Sequence, residues 1–199
     1  MEEESILIRR TLAGDEEAFT RLVEAYQNSI YNLAYRMLGD AAEAEDAAQE
    51  TFLRIYTRLS TYNPEKKFSS WVLSIASHYC IDRLRRRKHT PVSLDDIVSW
   101  RWLPSKDVAP EEQTLREEQK DEIRDLLDEL PSHYRAVMIL RYWHEMSYDE
   151  IAGTLGATQS TIKSRLHRAR KMMAERVQAQ RGRGNMEYEE RRAIRNAVL

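Results

Sequence analysis

The chain has 199 residues, 32% of them charged, a net charge of −2, and only six glycines and five prolines. Ala, Leu, Glu and Arg are abundant and no run alternates apolar with polar residues, which argues against strands and predicts an all-α protein of two small helical domains. Cys80 is the single cysteine, which excludes an intramolecular disulfide and a thiolate zinc cluster; the start M-E-E-E-S is unlike a signal peptide and no apolar run could span a bilayer, so a cytoplasmic chain without membrane insertion is expected.

Residues 1–88 read as a first domain of four helices. Asp15 to Leu38 carries Phe19, Leu22, Val23, Tyr26, Ile30, Leu33 and Met37 on a helical period and ends at Gly39-Asp40. Ala41 to Leu59 follows, with Ala44, Ala48, Phe52 and Ile55 or Tyr56 facing inward, and Ser60 to Lys67 is a loop around Pro64. Phe68 to Lys88 resumes the period through Trp71, Val72, Ile75, Tyr79 and Leu84. Residues 89–110 contain three prolines and no helical period, so they read as a linker. Residues 111–180 return to helix as a second domain, broken at Leu130-Pro131. The tail 181–199 opens with R-G-R-G, and Met186 to Leu199 could form one more helix.

Charge is segregated along the chain, which matters more than the small net value. Asp40 to Glu50 holds five acids and no base, Glu111 to Glu129 nine acids against three bases, and Arg83 to Lys88 five bases. Asp46, Gln49 and Glu50 share one side of a helix at offsets of three and four while Phe52 points away, so they form a compact anionic surface suited to a cationic partner. A metal site is not indicated: no Glu-x-x-His pair is present, and His144-Glu145 lacks the second histidine of a zinc-binding H-E-x-x-H. Neither a cofactor nor a catalytic group is expected.

Residues 147 to 171 read as a helix-turn-helix. Ser147 and Glu150 have the spacing of a capping box, Ile151 and Leu155 give a buried edge, Gly156 breaks the helix, and Thr158 caps the next one. From there Ile162, Leu166, Ala169 and Met173 make an inward stripe. Ser160, Thr161, Ser164, His167, Arg168 and Lys171 fall outward, with Lys163, Arg165 and Arg170 on the flanks. Gln159 to Arg176 holds six Lys or Arg against the single acid Glu175, an imbalance that suits DNA better than solvent.

Three motifs, in order, resemble the extracytoplasmic-function sigma factors of bacterial RNA polymerase, over roughly residues 5 to 176. They are A-E-D-A-A-Q-E-T-F with Asp46, Gln49, Glu50 and Phe52; F-S-S-W-V-L-S-I-A-S-H-Y-C-I-D-R-L-R-R from Phe68; and the run from Leu130-Pro131 and Tyr134-Arg135 to Arg170. The resemblance implies that the first docks on a coiled coil in the clamp of the polymerase's largest subunit. It places the capture of a flipped −10 base in the loop Thr61 to Phe68 and at Ser69, Ser70 and Ser74, with Asn63, Lys66, Lys67 and His78 beside them and Arg83, Arg85 and Arg86 on phosphate. It assigns the −35 element to Thr161, Lys163, Ser164, Arg165, His167, Arg168, Arg170 and Lys171. Ser164, His167 and Arg168 are the base-edge candidates and Lys163, Arg165, Arg170 and Lys171 the phosphate contacts. Two positions depart from the family pattern: His78 replaces a common asparagine and Ser160 a common glycine. The resemblance also implies a linker threading the polymerase near the RNA path and an anti-sigma protein that holds the two domains shut. A stand-alone DNA-binding regulator would share Ser147 to Lys171 but has no use for the other two motifs.

Overall fold

The computed structural model describes residues 2–89 and 122–197. The N-terminal lobe comprises α1 (Glu2–Leu12), α2 (Glu16–Leu38), α3 (Ala41–Arg58), a 3-10 turn (Leu59–Thr61) and α4 (Phe68–His89). The C-terminal lobe comprises α5 (122–128), α6 (Ser132–Tyr142), α7 (Tyr148–Leu155) and α8 (Gln159–Ala197), and no strand occurs among the described residues. The expected linker from residue 90 onward and the start of the second domain lie outside the described residues.

Local chemistry fixes the helix ends. Asp15 accepts a hydrogen bond from the Ala18 N–H at 3.1 Å and Asp40 one from the Glu43 N–H at 2.8 Å, each satisfying a donor that the first turn leaves unpaired. Between α2 and α3 a single glycine, Gly39 at φ 79°, turns the chain in the left-handed region. The α2–α3 corner is therefore only two residues long.

The inward stripes of α3 and α4 are rotated by about one residue from the expected ones. On α3 the fully buried residues are Ala44, Ala47, Thr51 and Ile55, whereas Ala48 and Phe52 are half-buried and Tyr56 is exposed. Hydropathy favours Phe52 over Thr51, but the Thr51 hydroxyl donates to the Ala47 carbonyl at 2.6 Å and is thereby buried without an unmet hydrogen bond. On α4 Phe68, Val72, Leu73, Ala76, Cys80 and Ile81 are buried, and Trp71, Ile75 and Tyr79 ring the edge. Small Ala76 and Cys80 let the helices approach closely, and the larger side chains cover the margin. The tail also differs: α8 runs unbroken through Gly182 and Gly184 to Ala197, where a break after residue 180 was expected. Each helical glycine costs only about 1 kcal/mol, and the neighbouring Arg, Glu and Ala favour helix.

The two lobes pack against each other, α4 on α6 and α7, and α2 on α6. Arg135 of α6 is 6% exposed and fastens this seam. Its Nη1 donates to the Met37 carbonyl at 2.5 Å and to Asp128 Oδ1 at 2.7 Å, and its Nη2 to the Asp128 carbonyl at 2.5 Å. Met37 lies in the last turn of α2, where carbonyls have no donor within their own helix and the helix dipole favours a cation. Arg87 does the same for the Leu38 carbonyl at 3.2 Å. Cutting Arg135 to alanine would strand these acceptors at a buried seam, so Arg135→Ala should lower the unfolding free energy by about 3 kcal/mol. Arg135→Lys should recover less than half, because one ammonium cannot span the same acceptors. Urea denaturation of both variants measures this; a loss under about 1 kcal/mol for the alanine variant would deny Arg135 that role.

Candidate nucleic-acid interface

The helix-turn-helix is built as its sequence implies. The Glu150 N–H donates to Ser147 Oγ at 3.2 Å and the Ser147 N–H to Glu150 Oε2 at 2.8 Å, closing the capping box. Gly156, at φ 59°, ends α7, and the Thr161 N–H donates to Thr158 Oγ1 at 3.2 Å to start α8. Ile162, Leu166 and Ala169 are buried against α6 and α7. That leaves Ser164, His167, Arg168 and Lys171 exposed on the outward face with Lys163 and Arg170, while Thr161 and Arg165 are half-buried. Lys171 lies 3.8 Å from Glu175, an exposed pair that contributes little.

Two tyrosines flank this face that no motif had singled out. Arg170 Nε donates to the Tyr142 hydroxyl at 2.8 Å. Tyr148 has Arg141 over its ring at 5.2 Å and Lys163 at 5.9 Å. The sequence hid this because nothing in it shows that the end of α6 reaches the middle of α8.

On α3, Asp46 and Gln49 are exposed and Glu50 is half-buried, its carboxylate 2.7 Å from Arg54. Phe52 packs against the core, and the exposed Leu53 lies beside the acids on their own helix face. Arg83, expected on DNA phosphate, is instead half-buried and turned toward α3. It lies 3.6 Å from Glu43 and 3.8 Å from Asp46, and donates to the Tyr79 hydroxyl at 3.2 Å. Arg87 also pairs with Glu43. The α3 acids attract the nearest bases of α4, which the linear charge count could not reveal. Arg85 pairs weakly with Asp82 at 3.8 Å, and Arg86 is exposed.

The residues expected at a −10 base lie along the seam between the lobes. Asn63 caps its own loop, accepting from the Glu65 N–H at 3.0 Å, and Lys66 is exposed. Lys67 reaches across to Glu150 at 2.6 Å, and Ser74 Oγ donates to the Thr154 carbonyl at 2.9 Å. Ser69 and Ser70 line a cavity of about 270 Å³ whose far wall is His144, Glu145, Met146 and Glu150. His78 Nδ1 lies 2.8 Å from the Ser74 carbonyl. A carbonyl only accepts, so Nδ1 carries a hydrogen. Phe68 is 1% exposed and belongs to the core, and Trp71 stacks on it at 5.6 Å from the core's edge.

The sigma-70 region 2 family model matches residues 22–90 and the sigma-70 region 4 model residues 120–173. The ECF RNA polymerase sigma factor SigW of Bacillus subtilis is 34% identical over 176 residues, 85% of this chain and 94% of the relative. The chain belongs to the extracytoplasmic-function sigma factors. The RNA polymerase sigma-H factor of Pseudomonas aeruginosa is 31% identical over 89% of the chain and 95% of its own length. The solved structure of CnrH in complex with the cytosolic domain of CnrY has a TM-score of 0.64 at 21% identity, covering 89% of this chain and 98% of that one, which shows a shared fold. The relatives are sigma factors, not catalytic enzymes, and no described helix of this sigma factor is long and apolar enough to cross a membrane. The α1–α4 lobe contains its region 2 and the α5–α8 lobe its region 4.

Glu150 and His144, on the loop side of the seam, titrate away from their ordinary values. Glu150 is held down to about 2 by the Lys67 hydrogen bond and by bonds from Ser147. Burial, with Arg36 nearby, lowers His144 from 6.5 to about 4. Its neutral form is the folded one, so its stabilising contribution is complete above pH 6.5 and lost as pH falls from there toward 4, because the unfolded chain takes the proton first. At pH 5 this sigma factor should therefore be about 1–2 kcal/mol less stable than at pH 7 on account of His144. His144→Gln should flatten that part of the stability profile in urea titrations at both pH values; equal slopes in variant and parent would remove His144 from the account.

Proposed function

We propose that this chain is an alternative sigma factor that joins core RNA polymerase through Asp46, Gln49, Glu50 and Phe52 of α3, captures −10 bases at the start of α4, and reads the −35 element with α8. The observation that carries the reading is the outward face of α8. On a capped, buried helix-turn-helix, Ser164, His167 and Arg168 stand exposed between Lys163 and Arg170, and no acid occurs on α8 before Glu175. Short and long donors on the midline suit base edges in the major groove, and cations on the flanks suit phosphate.

The seam adds a step to this reading. Lys67, Ser69, Ser70 and Ser74 face α7 or its preceding loop, so the lobes part before a flipped base enters. Arg85 and Arg86 remain the candidates for phosphate near −10, and Arg83 serves the α3 surface. The factor works in the cytoplasm, and a protein that stabilises the closed pair of lobes would act as its anti-sigma partner. That partner class is named for a solved relative, RpoE with NepR from Bartonella quintana, which shares 19% identity at a TM-score of 0.61. A stand-alone regulator does not account for the α3 acids.

Reconstitution tests the proposal. Asp46→Lys with Glu50→Lys should weaken binding to core polymerase at least about tenfold while helical circular dichroism is unchanged; affinity within twofold of the parent would exclude this docking surface. Run-off transcription over a promoter library gives the preferred −35 sequence. On it, Arg168→Ala should lose about 1–3 kcal/mol and relax preference at one base position. Uniform loss across all single-base variants would make Arg168 a phosphate contact instead.

A further inference from the structure

Tyr142 closes α6 and is 50% exposed, so burial does not explain it. Its hydroxyl accepts from Arg170 Nε at 2.8 Å, and the guanidinium carbon lies 5.8 Å from the ring centroid. Tyr148 carries Arg141 and Lys163 on its ring. Three cations from α6 and α8 thus gather on two tyrosines, and among the described ion pairs none of the three is matched to an acid. The ring faces and phenol oxygens hold this cluster and Arg141 also donates to the Met146 carbonyl at 2.8 Å, but none of these partners carries a negative charge. An anion would complete it.

The hydrogen bond to Nε also orients the guanidinium. An exposed arginine loses rotamer freedom when it is fixed on a ligand, and a partner that fixes it beforehand removes part of that loss. With Nε committed to Tyr142, the two Nη groups remain to meet phosphate oxygens, which Arg recognises through paired donors.

We infer that Tyr142 is a positioning residue for the −35 interaction: it holds Arg170 in place to grip a DNA backbone phosphate beside the recognition helix. This rests on the reading that α8 enters the −35 major groove. The effect passes through Arg170, so Tyr142 confers affinity and no base preference of its own.

A double-mutant cycle on reconstituted holoenzyme tests this, using duplex promoter DNA with the −35 sequence selected in the run-off library and several KCl concentrations. Arg170→Ala should weaken binding and lower the salt slope by about one unit. Tyr142→Phe, which keeps the ring and loses the acceptor, should weaken binding about threefold and lower the slope in the same direction. In the Arg170→Ala background Tyr142→Phe should have no effect, which a merely structural role would not produce. An equal loss in both backgrounds, or no loss with Arg170 present, overturns the inference while leaving the −35 reading intact. If Arg170→Ala itself changes neither affinity nor salt slope, the assignment of Arg170 to phosphate fails and the inference falls with it.

Discussion

The arrangement depends on one constraint: the last carbonyls of α2 must find donors, and they find them in arginines from elsewhere in the chain. Arg87 reaches Leu38 from within the region 2 lobe, and Arg135 reaches Met37 from the region 4 lobe while tied to Asp128 behind it. A helix C-terminus is a weak local anion, and a guanidinium with several donors can satisfy it and its own helix's neighbours together. Because Arg135 is nearly buried, this contact is directional and hard to replace with water. It sets which face of α6 meets α2, and with it which face of α7 meets α4.

From that register the rest of the seam follows. Glu150 is shared between two tasks, capping α7 through Ser147 and holding Lys67 of the opposite lobe. Arg36 of α2 lies over the Trp143 ring at 5.2 Å, and Arg124 of α5 donates to the Tyr35 hydroxyl at 3.2 Å. Most of these are polar or exposed contacts, each of modest strength, and Glu150 with the loop 144–146 covers the hydroxyl-rich start of α4. Interfaces of this kind within one chain permit relative motion of the lobes. The outward face of α8 is not covered, since Ser164, His167 and Arg168 are exposed in the closed arrangement. The two surfaces proposed to meet DNA thus differ in access.

The helix-turn-helix was legible almost residue by residue because its signals are local: a capping box, a left-handed glycine, and a four-three stripe. The corner at Gly39-Asp40 was legible for the same reason. What was not legible depends on contacts between distant segments. One local exception is Thr51, buried more fully than Phe52 because its hydroxyl bonds to its own helix, which hydropathy alone cannot anticipate. Arg83 sits on the α3 acids, Lys67 on Glu150 and Arg170 on Tyr142, pairings separated by 28 to more than 80 residues or fixed by how two helices cross. Glycines at 182 and 184 read as a stop because glycine often ends helices, yet without a left-handed turn or a proline the helix continues.

The central claim is that region 4 closes over the −10 surface of region 2 in the free factor and leaves it when transcription starts. Spin labels at the exposed positions Glu24 on α2 and Gln178 on α8, one on each lobe, report this directly by pulsed electron resonance. A single narrow distance in the free chain, replaced by a longer one with core polymerase and promoter DNA, is the result the account predicts. A broad distribution in the free chain, or an unchanged distance in the initiating complex, would contradict it.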